Sequence, residues 1–308
     1  MRAFMFLLVA IAAAQAGCSR SGQQQDFASA DEAVQSLVTA ARSDDARALL
    51  RVLGKDAQPL IDSGDPVQDE NSRKRFIQEY DATHVLEGNA TGAITLNVGT
   101  DKWPFPIPIV QSNGRWRFDT AAGTEEIINR RVGANELATI QSCLAFVDAE
   151  REYYVRNPQR DPLLHFSQKF MSSEEQKDGL YWPTTGNEES SPLGEKFAEA
   201  RSEGYFQDAA SQSSQANPYH GYVYRLLKAQ GPNASGGAYD YVVRDKMLGG
   251  FALLAYPAEY GNSGVMTFIV NHSGVVYSKD LGPDTPKVAA SIEIFDPDHS
   301  WQREASID

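Results

Sequence analysis

The sequence predicts an α+β fold, in which N-terminal helices and a curved antiparallel sheet are followed by a long helix that packs on a C-terminal antiparallel β-meander. Two observations support this prediction. Apolar residues recur at helical spacing in residues 28–54 and 135–156. Alternating apolar and polar residues, separated by turn-rich segments, fill most of residues 85–118 and 218–278. Helices that precede strands within each half are typical of α+β modules.

The first 18 residues have the composition of an export signal. Arg2 supplies a short positive region, and residues 3–14 form an apolar run that is too short to span a bilayer. Ala16-Gly17-Cys18 resembles the end of a bacterial lipoprotein signal, in which the cysteine becomes the acylated first residue. Ala14-Gln15-Ala16 also fits an ordinary signal peptidase that cleaves after Ala16, so both forms stay open and the lipoprotein is favoured. We therefore expect an exported, periplasm-facing protein that a lipid on Cys18 anchors to a membrane.

With 308 residues, one large domain or two domains of ordinary size are expected. The predicted organisation is a signal peptide (1–18), a polar tether (19–26), an N-terminal α+β domain (27–123), and a long helix with a C-terminal antiparallel β domain (124–308).

The N-terminal domain opens with clear helix signals. Ser29 followed by Glu32 is a capping box for a first helix. Asp44-Asp45 interrupts the apolar pattern, and Gly54 ends a second helical run. A further helix is predicted over residues 73–80.

A proline-rich stretch then alternates large apolar residues with Pro104, Pro106 and Pro108. Because the three prolines remove the donors along one side, residues 103–109 predict an edge strand whose open side cannot recruit another strand. Ser112-Asn113-Gly114 predicts a tight turn into a second strand, so that the pair forms a hairpin.

The second domain is predicted to begin with Thr124 as an N-cap, with a stop or bend at Gly133 and a second cap at Asn135. Apolar residues continue at helical spacing to about residue 156. Strands are predicted over residues 220–227, 239–243, 250–256, 265–270 and 274–277.

The charge balance excludes one class of partner. A net charge of −13 and the lack of a basic stripe make nucleic acid a poor partner. If Cys18 is acylated, Cys143 has no disulfide partner, and its place on the apolar helix face predicts an inert thiol. The five histidines show no metal-ligand spacing, so neither a metal nor a cofactor is expected.

Candidate chemistry is sparse. His220 is the candidate general base of a hydrolase acting on envelope polymers, with Asp178 or Asp240 as its carboxylate, although a locally bonded histidine at a strand end is favoured. An acidic segment could bind calcium but favours turns and caps: Asp62, Asp65, Asp69 and Glu70. Five aromatic residues could line a carbohydrate or peptide groove, although core packing is favoured: Trp116, Tyr181, Trp182, Tyr219 and Tyr222.

Several longer segments together resemble a bacterial family known as domain of unknown function 2950. They include SGDPVQD (63–69), WPFPIPIV (103–110), WRFDTAAGTEEIINRRVGANE (116–136), VDAEREYY (147–154), PYHGYVYRLLKAQG (218–231) and GGFALLAYPAEYGNSGVMTFIVN (249–271). Val132 and Glu150 stand where the family usually has isoleucine and glutamine. The resemblance implies an exported protein, often a lipoprotein, without an established activity.

Residues 135–154, followed by the strands of residues 255–278, resemble the head domains of type IV pilins and pseudopilins. No apolar stem precedes the helix, because residues 101–134 have another predicted structure. The resemblance therefore implies a pilin-head-like domain in a different role, not a pilus subunit.

Three functions remain at this point. The favoured one is a non-enzymatic envelope lipoprotein that acts as a binding or assembly module for a protein or polymer partner. An enzyme should place His220 in a cleft within hydrogen-bond reach of an acid. A small-ligand carrier should hold an apolar cavity in the N-terminal sheet, beneath Trp103 and Phe105. An interaction protein should show an exposed apolar patch instead.

Overall fold

The computed structural model describes residues 24–90, 92–186, 188–205 and 217–305. Its N-terminal half begins with helices α1 (Ala30–Arg42), α2 (Ala46–Leu53), a 3-10 turn (Lys55–Ala57), α3 (Gln58–Ile61) and α4 (Pro66–Ala82). The predicted cap at Ser29 is confirmed, since its Oγ accepts from the Glu32 N–H at 3.1 Å, and Asp45, which was predicted only to interrupt the apolar run, caps α2. The predicted helix over 73–80 is longer, because Asp65 caps it and Pro66 occupies its first turn.

Five antiparallel strands follow: β1 (His84–Gly88), β2 (Ile94–Val98), β3 (Trp103–Pro104), β4 (Ile109–Ser112) and β5 (Arg115–Phe118). The sheet order is β1-β2-β4-β5, and β3 also pairs with β2. Asn113 and Gly114, both at positive φ, form the predicted turn between β4 and β5. Phe27, Leu96, Ile107 and Phe118 lie at the centre of this hydrophobic core.

The prediction of a proline-blocked edge strand is wrong. The chain bends at Pro106 and Ile107, so residues 103–109 form two strands instead of one. Both pair with β2, and β4 also pairs with β5, so β4 lies inside the sheet, whereas β3 pairs with β2 alone among the described strands. The carbonyl groups of prolines still accept hydrogen bonds, and the Pro108 oxygen accepts the Asp119 N–H at 2.8 Å.

Helix α5 (Thr120–Arg156) is continuous over 37 residues, so the predicted cap at Thr124 and the predicted stop at Gly133 are wrong. The Thr124 hydroxyl donates to the Thr120 carbonyl at 2.7 Å, one turn inside the helix. Gly123 is required for contact with the sheet, because a Cβ atom there would lie 2.5 Å from the Pro106 carbonyl oxygen. The cap signal at Thr124 was thus a local pattern that tertiary packing overrode.

The C-terminal half contains α6 (Gly194–Ser202) and α7 (Thr285–Ser291). Its strands are β6 (Tyr222–Leu227), β7 (Ala229–Gln230), β8 (Tyr239–Asp240), β9 (Val242–Val243), β10 (Lys246–Met247), β11 (Ala252–Pro257), β12 (Met266–Asn271), β13 (Val276–Asp280) and β14 (Gln302–Arg303). The predicted strand over 239–243 is two short strands, β8 and β9. The main sheet has the antiparallel order β14-β13-β12-β11-β6, and α5 packs across β11, β12 and β13. The predicted α+β fold with a helix on a C-terminal meander is confirmed.

Candidate functional site

The two hydrophobic cores meet at a layer of buried polar groups, which we call the seam. It is formed by residues 62–69, 131–136, 203–205, 219–221 and 259–264. Each segment lies at the end of an element or in a tight turn, apart from residues 131–136 in the middle of α5. At the seam, the start of α4, the end of α6 and the start of β6 therefore lie beside the middle of α5.

Asp65 is the most connected acid of the seam and is 1% exposed. Its Oδ1 accepts the Gln68 N–H at 3.1 Å as the cap of α4. Its Oδ2 accepts the Tyr205 hydroxyl at 2.8 Å and the Gly221 N–H at 2.9 Å. Three donors satisfy this buried carboxylate. Because Tyr205 and Gly221 are two of the three donors, Asp65 joins three segments that are far apart in the chain.

Asn135 supplies the second connection. Its Nδ2 donates to the Ser263 carbonyl at 2.8 Å, and its side-chain oxygen accepts from Gln68 Nε2 at 2.6 Å. One residue later, the Glu136 carboxylate accepts the N–H groups of Val265 and Met266 at 3.0 and 2.9 Å. The predicted cap at Asn135 is wrong, because its side chain joins the two halves instead of starting a helix.

Arg131 and Asp69 complete the seam on the α3 side. The Arg131 guanidinium donates to the carbonyls of Pro59 and Leu60 and to Asn262 Oδ1, at 2.6 to 2.9 Å. Asp69 accepts the Ser63 N–H at 2.9 Å. Burial raises the pKa of Asp69, and the hydrogen bonds from Ser63 oppose that shift. Asp62, Asp65 and Asp69 thus serve turns and caps, as the sequence favoured, whereas Glu70 pairs with Lys74 on the surface of α4.

His220 lies at the rim of the seam, at a positive φ of 50°. Its Nε2 is 3.5 Å from Oε2 of Glu203, and its ring contacts the Tyr219 ring at 4.2 Å between centroids. The two proposed acids lie elsewhere: Asp178 pairs with Lys169, and Asp240 is exposed on β8. The carboxylate partner of His220 is therefore Glu203, which the sequence analysis missed.

A histidine beside a carboxylate could act as a base, but the hydroxyl groups of Tyr205 and Ser263 are already engaged. The Tyr205 hydroxyl donates to Asp65, and burial together with this carboxylate raises the pKa of Tyr205. Burial also raises the pKa of Tyr219. The Ser263 hydroxyl exchanges hydrogen bonds with the backbone of Glu259 inside a turn. The hydroxyl groups of Tyr205 and Ser263 are therefore not arranged as nucleophiles for His220.

The structure brings together only some of the aromatic candidates. Tyr219 lies beside His220, and Tyr222 is fully buried with its hydroxyl donating to Met266. Tyr181 and Trp182 lie in the C-terminal core, where Tyr181 stacks on Phe197. Trp116 lies in the N-terminal half, in backbone contact with Phe27. These residues lie in separate packing positions and do not share one groove.

The place where a carrier pocket was predicted is filled. Phe105 packs against Phe76 and Phe118, with ring centroids 5.4 and 6.3 Å apart. Trp103 is 41% exposed, and the Arg130 guanidinium lies over its ring. Two open depressions of about 500 and 460 Å³ occur in the N-terminal half, and neither is lined by Trp103, Phe105 or His220.

The remaining predictions concern the two cysteines, metal binding and membrane-spanning helices. Cys18 lies outside the described residues, and Cys143 is fully buried, where burial raises the pKa of its thiol to about 12. In the described ranges no three acidic, histidine or cysteine side chains converge to hold a metal ion. No helix in the same ranges combines the length and apolar composition needed to cross a bilayer.

Sequence reasoning missed Glu203, Tyr205 and the connecting role of Asp65. The Asp65-Pro66 pair was a readable helix-start signal, because aspartate caps helices and proline favours their first turn. The role of Asp65 toward Tyr205 and Gly221 had no local signal, since these partners lie 140 and 156 residues away.

Comparisons with known proteins gave one match. The model of a family described as "Protein of unknown function (DUF2950)" matches residues 24–304. No curated protein and no solved structure matches the chain significantly. The resemblance to pilin heads is therefore not confirmed.

Proposed function

The chain belongs to the DUF2950 family of proteins of unknown function, and from this premise we propose that it is an exported, non-enzymatic protein of the cell envelope. In this proposal a lipid on Cys18 anchors the protein to the membrane, and the folded part faces the periplasm as a binding or assembly module. The export-type composition of residues 1–18 supports the location.

The use of polar groups at the seam is the observation that carries the non-enzymatic role. Asp65, Asn135 and Glu136 each bind two or more groups from distant segments. A catalytic group must be able to hydrogen-bond to a substrate, whereas these three side chains already form hydrogen bonds within the chain. The arrangement favours a rigid two-core body that presents surfaces.

Exposed apolar side chains at the far end of α5 support a binding role. Four of them form what we call the distal patch: Val155, Leu163, Leu164 and Val243. The ion pair between Asp161 and Lys246 holds the segment after α5 beside the β9–β10 hairpin. Apolar groups gathered at one end of a soluble surface are typical of contacts with another protein.

Fractionation tests the anchor. A Cys18→Ser variant should move from the membrane to the soluble periplasmic fraction, because it lacks the acylated thiol. A Cys143→Ala variant should stay with the membrane, since Cys143 is buried. Unchanged fractionation of the Cys18→Ser variant would refute the anchor.

Cross-linking in intact cells tests the binding role. A cross-linked protein partner should be lost when Leu163→Asp alters the distal patch. The partner should persist in a Val288→Asp variant, which places the same charge on an exposed apolar position of α7. Equal effects of the two changes would argue against the distal patch.

A second candidate is a hydrolase acting on envelope polymers, favoured by the 3.5 Å approach of His220 to Glu203. In such an enzyme, His220→Ala and Glu203→Gln should each abolish release of soluble fragments from purified envelope polymer. Equal release by the parent protein and both variants, or no release by the parent, would exclude this candidate.

A further inference from the structure

The chain joins the N-terminal core almost immediately after the predicted lipid site. The side-chain amide of Gln24 donates to the Phe118 carbonyl at 2.8 Å and to the Val52 carbonyl at 3.2 Å. The next residue, Gln25, donates its N–H to the Arg51 carbonyl at 2.8 Å. The first described residues are therefore already bound to α2 and β5.

Phe27 completes this attachment. Its N–H and carbonyl pair with the carbonyl and N–H of Trp116, at 2.8 and 2.9 Å, on the outer edge of β5. Its ring is fully buried in the N-terminal core. Residues 24–27 thus belong to the folded body, and release of this segment would expose the ring of Phe27 and open the sheet edge.

The remaining tether is short. Only residues 19–23 separate Cys18 from Gln24. Even a fully extended chain spans at most about 3.3–3.6 Å per residue, so this connection reaches about 20 Å. A lipid on Cys18 would therefore keep the surface around Gln24 within about 20 Å of the acyl site.

This surface differs in charge from the rest of the molecule. We call it the tether face and define it as residues 24–27, 45–56 and 115–119. It carries five cationic side chains and four carboxylates, which leaves +1, whereas the whole chain carries −13. All five cationic residues are exposed: Arg47, Arg51, Lys55, Arg115 and Arg117. The tether face therefore carries no net negative charge that an anionic leaflet would repel.

Helix α5 starts at the tether face and leads away from Gln24. The Thr120 hydroxyl, in its first turn, donates to the Leu53 carbonyl beside the attachment site. With 37 residues and a rise of 1.5 Å per residue, the helix is about 55 Å long. Its far end lies well beyond the reach of the tether.

We propose that the bilayer leaflet holding the Cys18 lipid covers the tether face, and that α5 carries the meander and the distal patch away from the membrane. This inference rests on the proposed lipid at Cys18 and adds an orientation to it. The short tether and the net charge of +1 both favour contact between the tether face and the leaflet.

Energy transfer in vesicles tests the orientation. Full-length acylated Lys55→Cys and Val243→Cys variants are labelled with a donor dye, while buried Cys143 stays unlabelled in the folded protein. The vesicles contain phosphatidylethanolamine and phosphatidylglycerol and carry an acceptor dye on their headgroups. We expect several-fold higher transfer from position 55 than from position 243. A Gly/Ser insertion between Ser21 and Gly22 should lower transfer from position 55.

Co-flotation with the vesicles separates the two proposals. Failure of the protein to float would overturn both the lipid anchor and the orientation. Flotation with equal transfer from the two positions, or with higher transfer from position 243, would overturn the orientation alone. If the insertion did not lower transfer from position 55, the short tether would not be the cause of the orientation.

Discussion

The hydroxyl group of Tyr205 donates a hydrogen bond of 2.8 Å to Oδ2 of Asp65, which lies 140 residues earlier in the chain. The Gly221 N–H donates to the same oxygen at 2.9 Å. Because Asp65 is almost completely buried, these donors replace its water shell. A single carboxylate therefore couples the start of α4 to the segment after α6 and to the start of β6.

Removal of the Tyr205 hydroxyl should weaken this coupling. We expect Tyr205→Phe to lower the free energy of unfolding by about 1–3 kcal/mol, because a buried carboxylate loses one of its donors. Urea titration followed by circular dichroism measures the change. Tyr260→Phe is a matched control, since the Tyr260 hydroxyl also donates to a carboxylate, Asp280 at 3.2 Å, but on the exposed surface. Equal losses in the two variants would contradict the special role of Asp65.

Glu150 should make stability fall as pH rises. Its side chain is fully buried on α5, where Oε2 accepts the Ser167 N–H at 2.8 Å, and Oε1 has no hydrogen-bond partner within the described part of the chain. Burial raises the pKa of Glu150 well above the ordinary value of 4.5. The folded protein therefore keeps this proton while the unfolded chain loses it, and stability declines from about pH 4.5 upward, at most by about 1.4 kcal/mol per pH unit.

Glu150→Gln removes this dependence, because glutamine is neutral and nearly the same shape. The variant should be more stable than the parent protein at pH 7, and the difference should shrink toward zero as pH falls below 4.5. Guanidinium titrations at several pH values measure it. Glu125→Gln, an exposed change on the same helix, is the control. A pH-independent difference between Glu150→Gln and the parent would refute the raised pKa.

The sequence predicted features that depend on neighbouring residues. The Ser29–Glu32 capping box and the Asn113-Gly114 turn are confirmed, because each rests on contacts a few residues apart. The family and the fold class are also confirmed, since they rest on long patterns and not on one position.

Predictions failed where distant packing decided the outcome. Thr124 had the chemistry of a helix cap, but the contact between Gly123 and Pro106 lets α5 start five residues earlier, with Asp119 at the cap position. The pairing of His220 with Glu203 was not predictable, because neither residue type nor spacing marks such a contact. The seam as a whole depends on partners that only the folded chain brings together.

Asn135 should tolerate even a nearly isosteric change poorly. Asn135→Asp replaces the donor to the Ser263 carbonyl with a carboxylate oxygen at a position that is 1% exposed. Two acceptors then face each other without water, and a charge is buried beside them. We expect a loss of at least about 2 kcal/mol at neutral pH. Thermal unfolding measures the loss, and Asn129→Asp on the exposed side of α5 should change the midpoint little.

The two glycines of α5 should respond to alanine in opposite directions. Gly133 is exposed with open space where a Cβ would lie, so Gly133→Ala should stabilise the helix by about 0.5–1 kcal/mol, the ordinary difference in helix propensity. At Gly123 the same change places Cβ 2.5 Å from the Pro106 carbonyl oxygen and 2.8 Å from Ile107 Cα. Since the backbone must move there, Gly123→Ala should destabilise by about 1–3 kcal/mol despite the better propensity. Urea titrations of both variants decide this, and stabilisation by Gly123→Ala would show that α5 does not press on the sheet.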